Sequence, residues 1–225
     1  MAKRKKGKWW YPVVAFLMIF ALGVWIVFPM VQKTPKLRIY NPADINPKLV
    51  DESLQRVTRM HRTLDFELVN QLGDTITHRD FEGKIYVADF FFTTCPTICK
   101  DMSRNFAVVQ EAFKDNPDVL LLSHSVTPDI DSVAALAAYG ERYGAIPGKW
   151  HLTTGTKKHI YELARKSYFA CLDEGDGGVQ DFIHTENFVL VDKDRRLRGF
   201  YDGTSDVEVK RLIKEIGYLL KEYDN

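Results

Sequence analysis

The longest apolar run in the chain, Trp9 to Val31, holds no charged residue over 23 positions. At about 1.5 Å of helical rise per residue it reaches roughly 34 Å, enough to cross the hydrocarbon core of a bilayer. Trp9, Trp10 and Tyr11 stand at its start, where amphipathic rings favour the membrane interface. The pattern therefore predicts a transmembrane helix. Farther on, Ile85–Phe92 and Val119–Val126 are nearly continuous apolar runs of the kind buried on both faces of a sheet. Phe66–Asn70 and Asp74–Thr77 flank Gln71-Leu72-Gly73 as the arms of a hairpin. Shorter strands are predicted at Trp150–Thr154, Thr185–Val191 and Leu197–Tyr201, the last two around a turn at Asp192-Lys193-Asp194. Helices are predicted over Asp101–Phe113, Ser132–Tyr143, Lys157–Tyr168 and Asp206–Tyr223. The last carries Val209, Leu212, Ile213, Ile216, Leu219 and Leu220 on one side. A helix-like segment also runs from Asp51 to about Arg62. Strand–helix alternation closed by a hairpin and a helix predicts an α/β sandwich with a central mixed sheet, preceded by one N-terminal transmembrane helix.

Four segments follow: a basic tail (1–8), the transmembrane anchor (9–31), a linker (32–62) marked by Pro35, Pro42 and Pro47, and a globular domain (63–225). Charge sharpens this division. The formal net charge of +1 conceals five basic residues, Lys3, Arg4, Lys5, Lys6 and Lys8, ahead of any acid. Everything from position 32 onward is mildly acidic, which argues against a nucleic-acid partner. A basic cluster before a membrane span stays cytoplasmic, so the domain is expected outside. The competing reading is a cleaved signal peptide, with Ala21-Leu22-Gly23 as a faint cleavage site. The apolar run continues eight residues past it, which favours an uncleaved anchor. No cysteine directly follows the run, which argues against a lipid anchor. The N-terminus lacks the Ser- and Arg-rich extent of an organelle transit peptide, so a bacterial cytoplasmic membrane is the expected location.

Candidate chemistry gathers where the first apolar strand ends. Cys95 and Cys99, two of three cysteines, lie in Thr93-Thr94-Cys95-Pro96-Thr97-Ile98-Cys99-Lys100, between a strand and a helix. A helix N-terminus offers free N–H groups and a positive dipole end, both favouring thiolate over thiol. Lys100 adds a cation. At a spacing of i, i+4 both sulfurs can fall on one side of the first turn. Two such thiols can close a disulfide, hold one soft metal ion, or remain inert and buried. In an oxidising compartment an unassisted pair becomes a disulfide, so a reductant is implied. Cys171 is left over, and a passive buried thiol is its simplest reading.

Phe90 and Thr93 ahead of Cys95-Pro96-x-x-Cys99, Ser125-Val126-Thr127-Pro128-Asp129, Leu152-Thr153-Thr154-Gly155-Thr156 and Ile183-His184-Thr185, in this order, resemble the Sco/SenC family. The resemblance runs from about Leu64 to Tyr223 and implies a thioredoxin-like fold. It further implies copper delivery to the binuclear copper site of cytochrome c oxidase, with that oxidase's copper-receiving subunit as partner. By motif the copper ligands fall on Cys95, Cys99 and His184. Thiolates suit Cu(I), and an added imidazole lets the site tolerate Cu(II). Three ligands leave a position open for transfer, whereas a closed zinc site normally wants four. The alternative activity is thiol–disulfide exchange through the Cys95–Cys99 redox pair.

The chain departs from the family pattern at two places. Lys100 follows the second cysteine where proline is frequent, and Ile183 precedes the histidine where an acid is frequent, with Asp181 three residues before His184. The acidic stretch Asp173-Glu174-Gly175-Asp176-Gly177-Gly178 lacks calcium-loop spacing and reads as a solvated loop. Asp129 reads as a helix-initiating residue. His61, His78, His124, His151 and His159 have no partner at ligand spacing and read as structural or surface residues.

Overall fold

The computed structural model describes residues 10–31, 35–171, 183 and 185–224. The chain forms two compact units, 1–35 and 36–225. The first contains α1 (Trp10–Val31), a 22-residue helix with no charged residue. By length and composition it can cross a membrane, and its residues from Trp10 to Val27 are exposed along their whole length.

Among the described residues, seven strands of the second unit form one mixed sheet. They are β1 (Glu67–Asn70), β2 (Thr75–Thr77), β3 (Ile85–Phe91), β4 (Val119–Ser125), β5 (Trp150–Thr154), β6 (Asn187–Val191) and β7 (Leu197–Asp202). Their order is β2-β1-β5-β4-β3-β6-β7. β3, β4 and β5 run parallel, and β1 and β6 join their two sides antiparallel. The helices are α2 (Ile98–Phe113), α3 (Val133–Tyr143), α4 (Lys157–Glu162) and α5 (Asp206–Tyr223). Both central runs are buried at all seven positions, as continuous apolar patterns require.

Alternation along β3 divides the core into two layers. Ile85, Val87 and Phe91 pack with Met102 and Phe106 of α2, Leu136 of α3 and Leu212 and Ile216 of α5. Tyr86, Ala88 and Phe90 face the other way, onto Ile160, Tyr161, Leu163 and Tyr168. The β1–β2 hairpin turns at Gly73, whose φ of +85° lies in the left-handed region that glycine tolerates best. The Asn70 side chain accepts from the N–H groups of Leu72 and Asp74 and closes the turn.

Several boundaries differ from the sequence pattern. α2 begins at Ile98, three residues before Asp101, so Cys99 sits inside its first turn. The helix expected to reach Tyr168 is α-helical only to Glu162, then continues as a π-helical turn over Leu163–Ser167. β6 starts at Asn187, two residues later than the pattern predicts, and the Thr185 hydroxyl donates to Ala170 O at 2.5 Å.

The expected helix over Asp51–Arg62 is absent, and a short succession of turns stands in its place. Tertiary bonds explain this. The carbonyl of Val57, which a continuing helix would offer to His61, accepts instead from Ala43 N–H at 3.1 Å. The His61 N–H goes to the Asn41 side chain, and Met60 has a φ of +63°.

Residues 36–62, expected as a linker, therefore belong to the folded unit. Val50 is buried, and Tyr40 pairs with Leu197 beyond the edge of β7. Arg198, fully buried on β7, donates to Leu37 O at 2.8 Å and Arg38 O at 3.2 Å. The same guanidinium pairs with Asp192 and Glu222, both at 2.8 Å. Asp192 has no exposed side-chain surface. A buried charge that loses its partner costs about 3–5 kcal/mol. Asp192 keeps Arg196 at 2.9 Å, so Arg198→Met is expected to destabilise the protein by about 3 kcal/mol, the lower end of that range, in urea titrations. A loss below about 1 kcal/mol would show the contact to be incidental.

Candidate metal centre

β3 ends at Phe91, and the next six residues turn the chain into α2. Within that turn the Cys95 N–H donates to Phe92 O at 3.3 Å, and the Lys100 N–H to Thr97 O at 3.3 Å. Thr97 is the residue before α2, but its side chain does not cap the helix. The first N–H groups of α2 are thus aimed at the turn that holds Cys95. Cys95 and Cys99 are both unbonded thiols, each 4% exposed.

Environment separates the two sulfurs. Burial pushes the Cys95 thiol up, yet hydrogen bonds with the Cys99 thiol, the Cys99 and Thr97 backbone and the Thr97 hydroxyl outweigh it and leave it below an ordinary thiol. Burial pushes the Cys99 thiol up to about 12, aided by its hydrogen bond to Cys95 and by the charges of Cys95 and Asp89. Charge is consequently easier to place on Cys95 than on Cys99, which makes Cys95 the better nucleophile of the pair.

Asp89 is part of this environment, although no sequence motif pointed to it. It is a single carboxylate inside the apolar run of β3, 1% exposed, and alternation puts it on the α2 side with Val87 and Phe91. Burial raises its carboxyl to about 7 against a hydrogen bond from Ser123. One of its oxygens has no protein partner. The signal was available: an acid amid eight apolar-run positions is costly unless it serves a site.

The remaining expectations fall out as follows. Cys171 is buried in the opposite layer, with Tyr168, Phe169 and Ile183, apart from the cluster that contains Cys95 and Cys99. His184, Asp181 and the acidic stretch 173–178 lie outside the described residues. His124 is fully buried against the Phe90 ring at 5.0 Å, with Nδ1 3.2 Å from the Thr153 hydroxyl. Its burial depresses the imidazole to about 3, so it stays neutral. His61 is bonded through Nε2 to Ser167 O at 2.9 Å, and His78 lies 3.5 Å from Asp65. Among the described residues, no group of three or more His, Cys, Asp or Glu is placed to hold a metal.

β6 runs antiparallel to β3 with Val189 opposite Ala88 and Val191 opposite Tyr86. Each step back along β6 is a step forward along β3, so the start of β6 lies at the sheet end from which the cysteine turn departs.

A parallel strand–helix core with a Cys-x-x-x-Cys turn feeding a helix defines a thioredoxin-like domain carrying a dithiol. The chain belongs to the SCO1/SenC family, whose model matches residues 56–221. A curated relative, the SCO1 protein homolog of Bacillus subtilis, is 31% identical over 153 residues, covering 67% of this chain and 79% of that protein. Among solved structures, BsSco is 28% identical with a TM-score of 0.61, over 71% of this chain and 93% of its own. It is described as a member of the Sco family of cytochrome c oxidase assembly proteins with a disulfide switch. Arabidopsis thaliana ScoI, solved with copper bound, is 25% identical with a TM-score of 0.55, over 72% of this chain and 99% of its own.

Two measurements probe the site as described. Iodoacetamide near neutral pH should modify Cys95 at least about tenfold faster than Cys99, as read by peptide mass, because the thiolate is the attacking species. Equal rates would contradict the split between them. The second concerns Asp89, whose folded carboxyl stands above its unfolded value of 3.8. Its favourable contribution is complete below about pH 4 and is lost as pH rises through about 7. Asp89→Asn should therefore be more stable than the parent above pH 7, by roughly 1.4 kcal/mol for each pH unit separating the folded and unfolded carboxyl, with the gap closing toward pH 4. A gap that is constant with pH would contradict the assignment.

Proposed function

We propose that this chain is a membrane-anchored copper-binding protein that delivers copper to the binuclear copper site of cytochrome c oxidase during its assembly. Copper is the cargo, and Cys95, Cys99 and His184 are its ligands. The observation that carries the reading is the adjacent buried pair Cys95–Cys99 at the start of α2, one sulfur favoured as thiolate and the other supplying a proton. Cu(I) binding displaces that proton, since the ion takes both sulfurs as thiolates.

His184 is supported indirectly. It stands three residues ahead of β6, and the start of β6 lies beside the end of β3 that leads to Cys95. Two sulfurs and one imidazole make a three-ligand site with an open position, through which a ligand of the copper-receiving subunit enters. Copper-bound relatives and the assembly role ascribed to BsSco support the same reading. The anchor is α1, with its basic N-terminal flank in the cytoplasm and the domain on the outer side of a bacterial cytoplasmic membrane.

A second reading has its own support in the asymmetry of the thiols. As an oxidoreductase, Cys95 thiolate would attack a target disulfide and release one target thiol. Cys99 would then resolve the mixed disulfide, leaving Cys95–Cys99 oxidised and the target reduced by two electrons. An external thiol reductant would return the pair to its starting state. Copper loading needs the same reduced state, so the two activities are compatible.

Anaerobic Cu(I) titration of the reduced protein against a competing chelator separates them. The copper reading predicts one tightly held ion, weakened about tenfold or more by His184→Ala and indifferent to Cys171→Ser. Weak binding that ignores His184 leaves disulfide exchange as the function.

A further inference from the structure

The carboxylate of Asp131 has no exposed surface, and among the described residues none of the ion pairs includes it. It is compensated by dipoles alone. Oδ1 accepts from the Thr93 hydroxyl at 2.5 Å. Oδ2 accepts from the Thr93 N–H at 3.2 Å, the Ser125 hydroxyl at 2.6 Å and the Thr127 hydroxyl at 3.0 Å. All four donors belong to residues 93, 125 and 127, at or just past the ends of the two central strands β3 and β4. The Ser125 and Thr127 bonds span only six and four residues, and so close a local turn before α3. The bonds to Thr93 cross 38 residues and tie that turn to the one bearing the cysteines.

We infer that Asp131 is a positioning residue for the dithiol: through Thr93 it fixes the turn that carries Cys95, and so sets the placement of the Cys95 sulfur against Cys99. Thr93 is two residues ahead of Cys95. On its far side the Cys95 N–H is held by Phe92 O, and on its near side Phe91 O at the end of β3 accepts from Val126 N–H at 2.8 Å. The turn is thereby fastened on both sides of Thr93, and Thr93 itself is held by Asp131 through both its N–H and its hydroxyl. A carboxylate suits this place because it only accepts, and it meets four donors. Asparagine has the same shape but turns an NH₂ toward them. The hydroxyls can rotate to accept, whereas the Thr93 N–H cannot. Asp129, the motif residue expected to start the helix, is exposed, and Ser132 caps α3 instead.

This inference rests on the dithiol acting in copper or disulfide chemistry, and its test uses the full-length chain in detergent. Three quantities would be read: the reduction potential of the Cys95–Cys99 couple against glutathione, the Cys95 alkylation rate at fixed pH, and Cu(I) affinity. The variants are Asp131→Asn, Thr93→Val, their combination, and Thr127→Val as a local control. Loss of an outer hydrogen-bond partner typically weakens metal binding about 10–100-fold. Asp131→Asn should do so and also shift the potential and the alkylation rate. Thr93→Val should shift all three the same way, the double variant should add little to Asp131→Asn, and Thr93→Ser should restore the parent values. Thr127→Val, which keeps both Thr93 bonds to Asp131, should shift the potential and the alkylation rate less than Thr93→Val does.

Additive effects of Asp131→Asn and Thr93→Val would overturn the inference, as would a fall in thermal midpoint with all three readouts unchanged. Should Asp131→Asn fail to fold, Thr93→Val and its Thr93→Ser rescue decide the matter alone. Absence of copper binding by the unmodified chain would count against the copper reading only, since potential and alkylation still report the clamp.

Discussion

The chemistry of this chain depends on β3 being paired along both edges and covered on both faces. β4 holds one edge over seven residue pairs, and β6 holds the other. Tyr86, Ala88 and Phe90 are pinned against one layer while Ile85, Val87 and Phe91 are pinned against the other. A strand so constrained cannot slip by one residue without turning its whole apolar set inside out. The turn that leaves it is therefore launched from a fixed point. Fixing the strand also fixes where α2 begins, and the first turn of α2 is what brings the sulfur of Cys99 to that of Cys95.

Burial supplies the second half of the site. A pair of equivalent surface thiols would both titrate near an ordinary cysteine and oxidise readily. Here helix N–H groups favour charge on Cys95, while the core and the nearby Asp89 carboxyl disfavour it on Cys99. The result is a dithiol whose two sulfurs differ in how readily they ionise, suited either to take a soft monovalent ion or to enter exchange. Which of these occurs is decided by the third donor and by the partner, because the pair itself suits both. Membership in the SCO1/SenC family and the copper-bound relatives favour the ion.

Strong local patterns were legible in the sequence. The two central strands, β5, the last hairpin and α5 follow directly from unbroken apolar runs and one amphipathic face, and Cys95 and Cys99 announce themselves by spacing. What was not legible depends on distant partners. Residues 51–62 have helical spacing in Leu54, Val57 and His61, yet Ala43 and Asn41 capture the backbone groups a helix would need. Arg198 reads as a surface charge in a strand, and only the fold reveals that it holds the segment at Leu37 and Arg38. Asp129 and Asp131 are chemically alike and two residues apart, so which one turns inward is a matter of geometry that composition does not encode. Asp89 is the intermediate case, an acid whose cost in an apolar run was visible while its neighbour Cys99 was not.

The central claim is a site of two sulfurs and one nitrogen, and X-ray absorption of the Cu(I)-loaded protein counts those donors directly. The predicted result is two sulfur scatterers and one imidazole nitrogen per copper, with the imidazole signal gone in His184→Ala and the sulfur count unchanged in Cys171→Ser. A copper bound by sulfur alone, with a spectrum that the His184 substitution leaves untouched, would contradict the account.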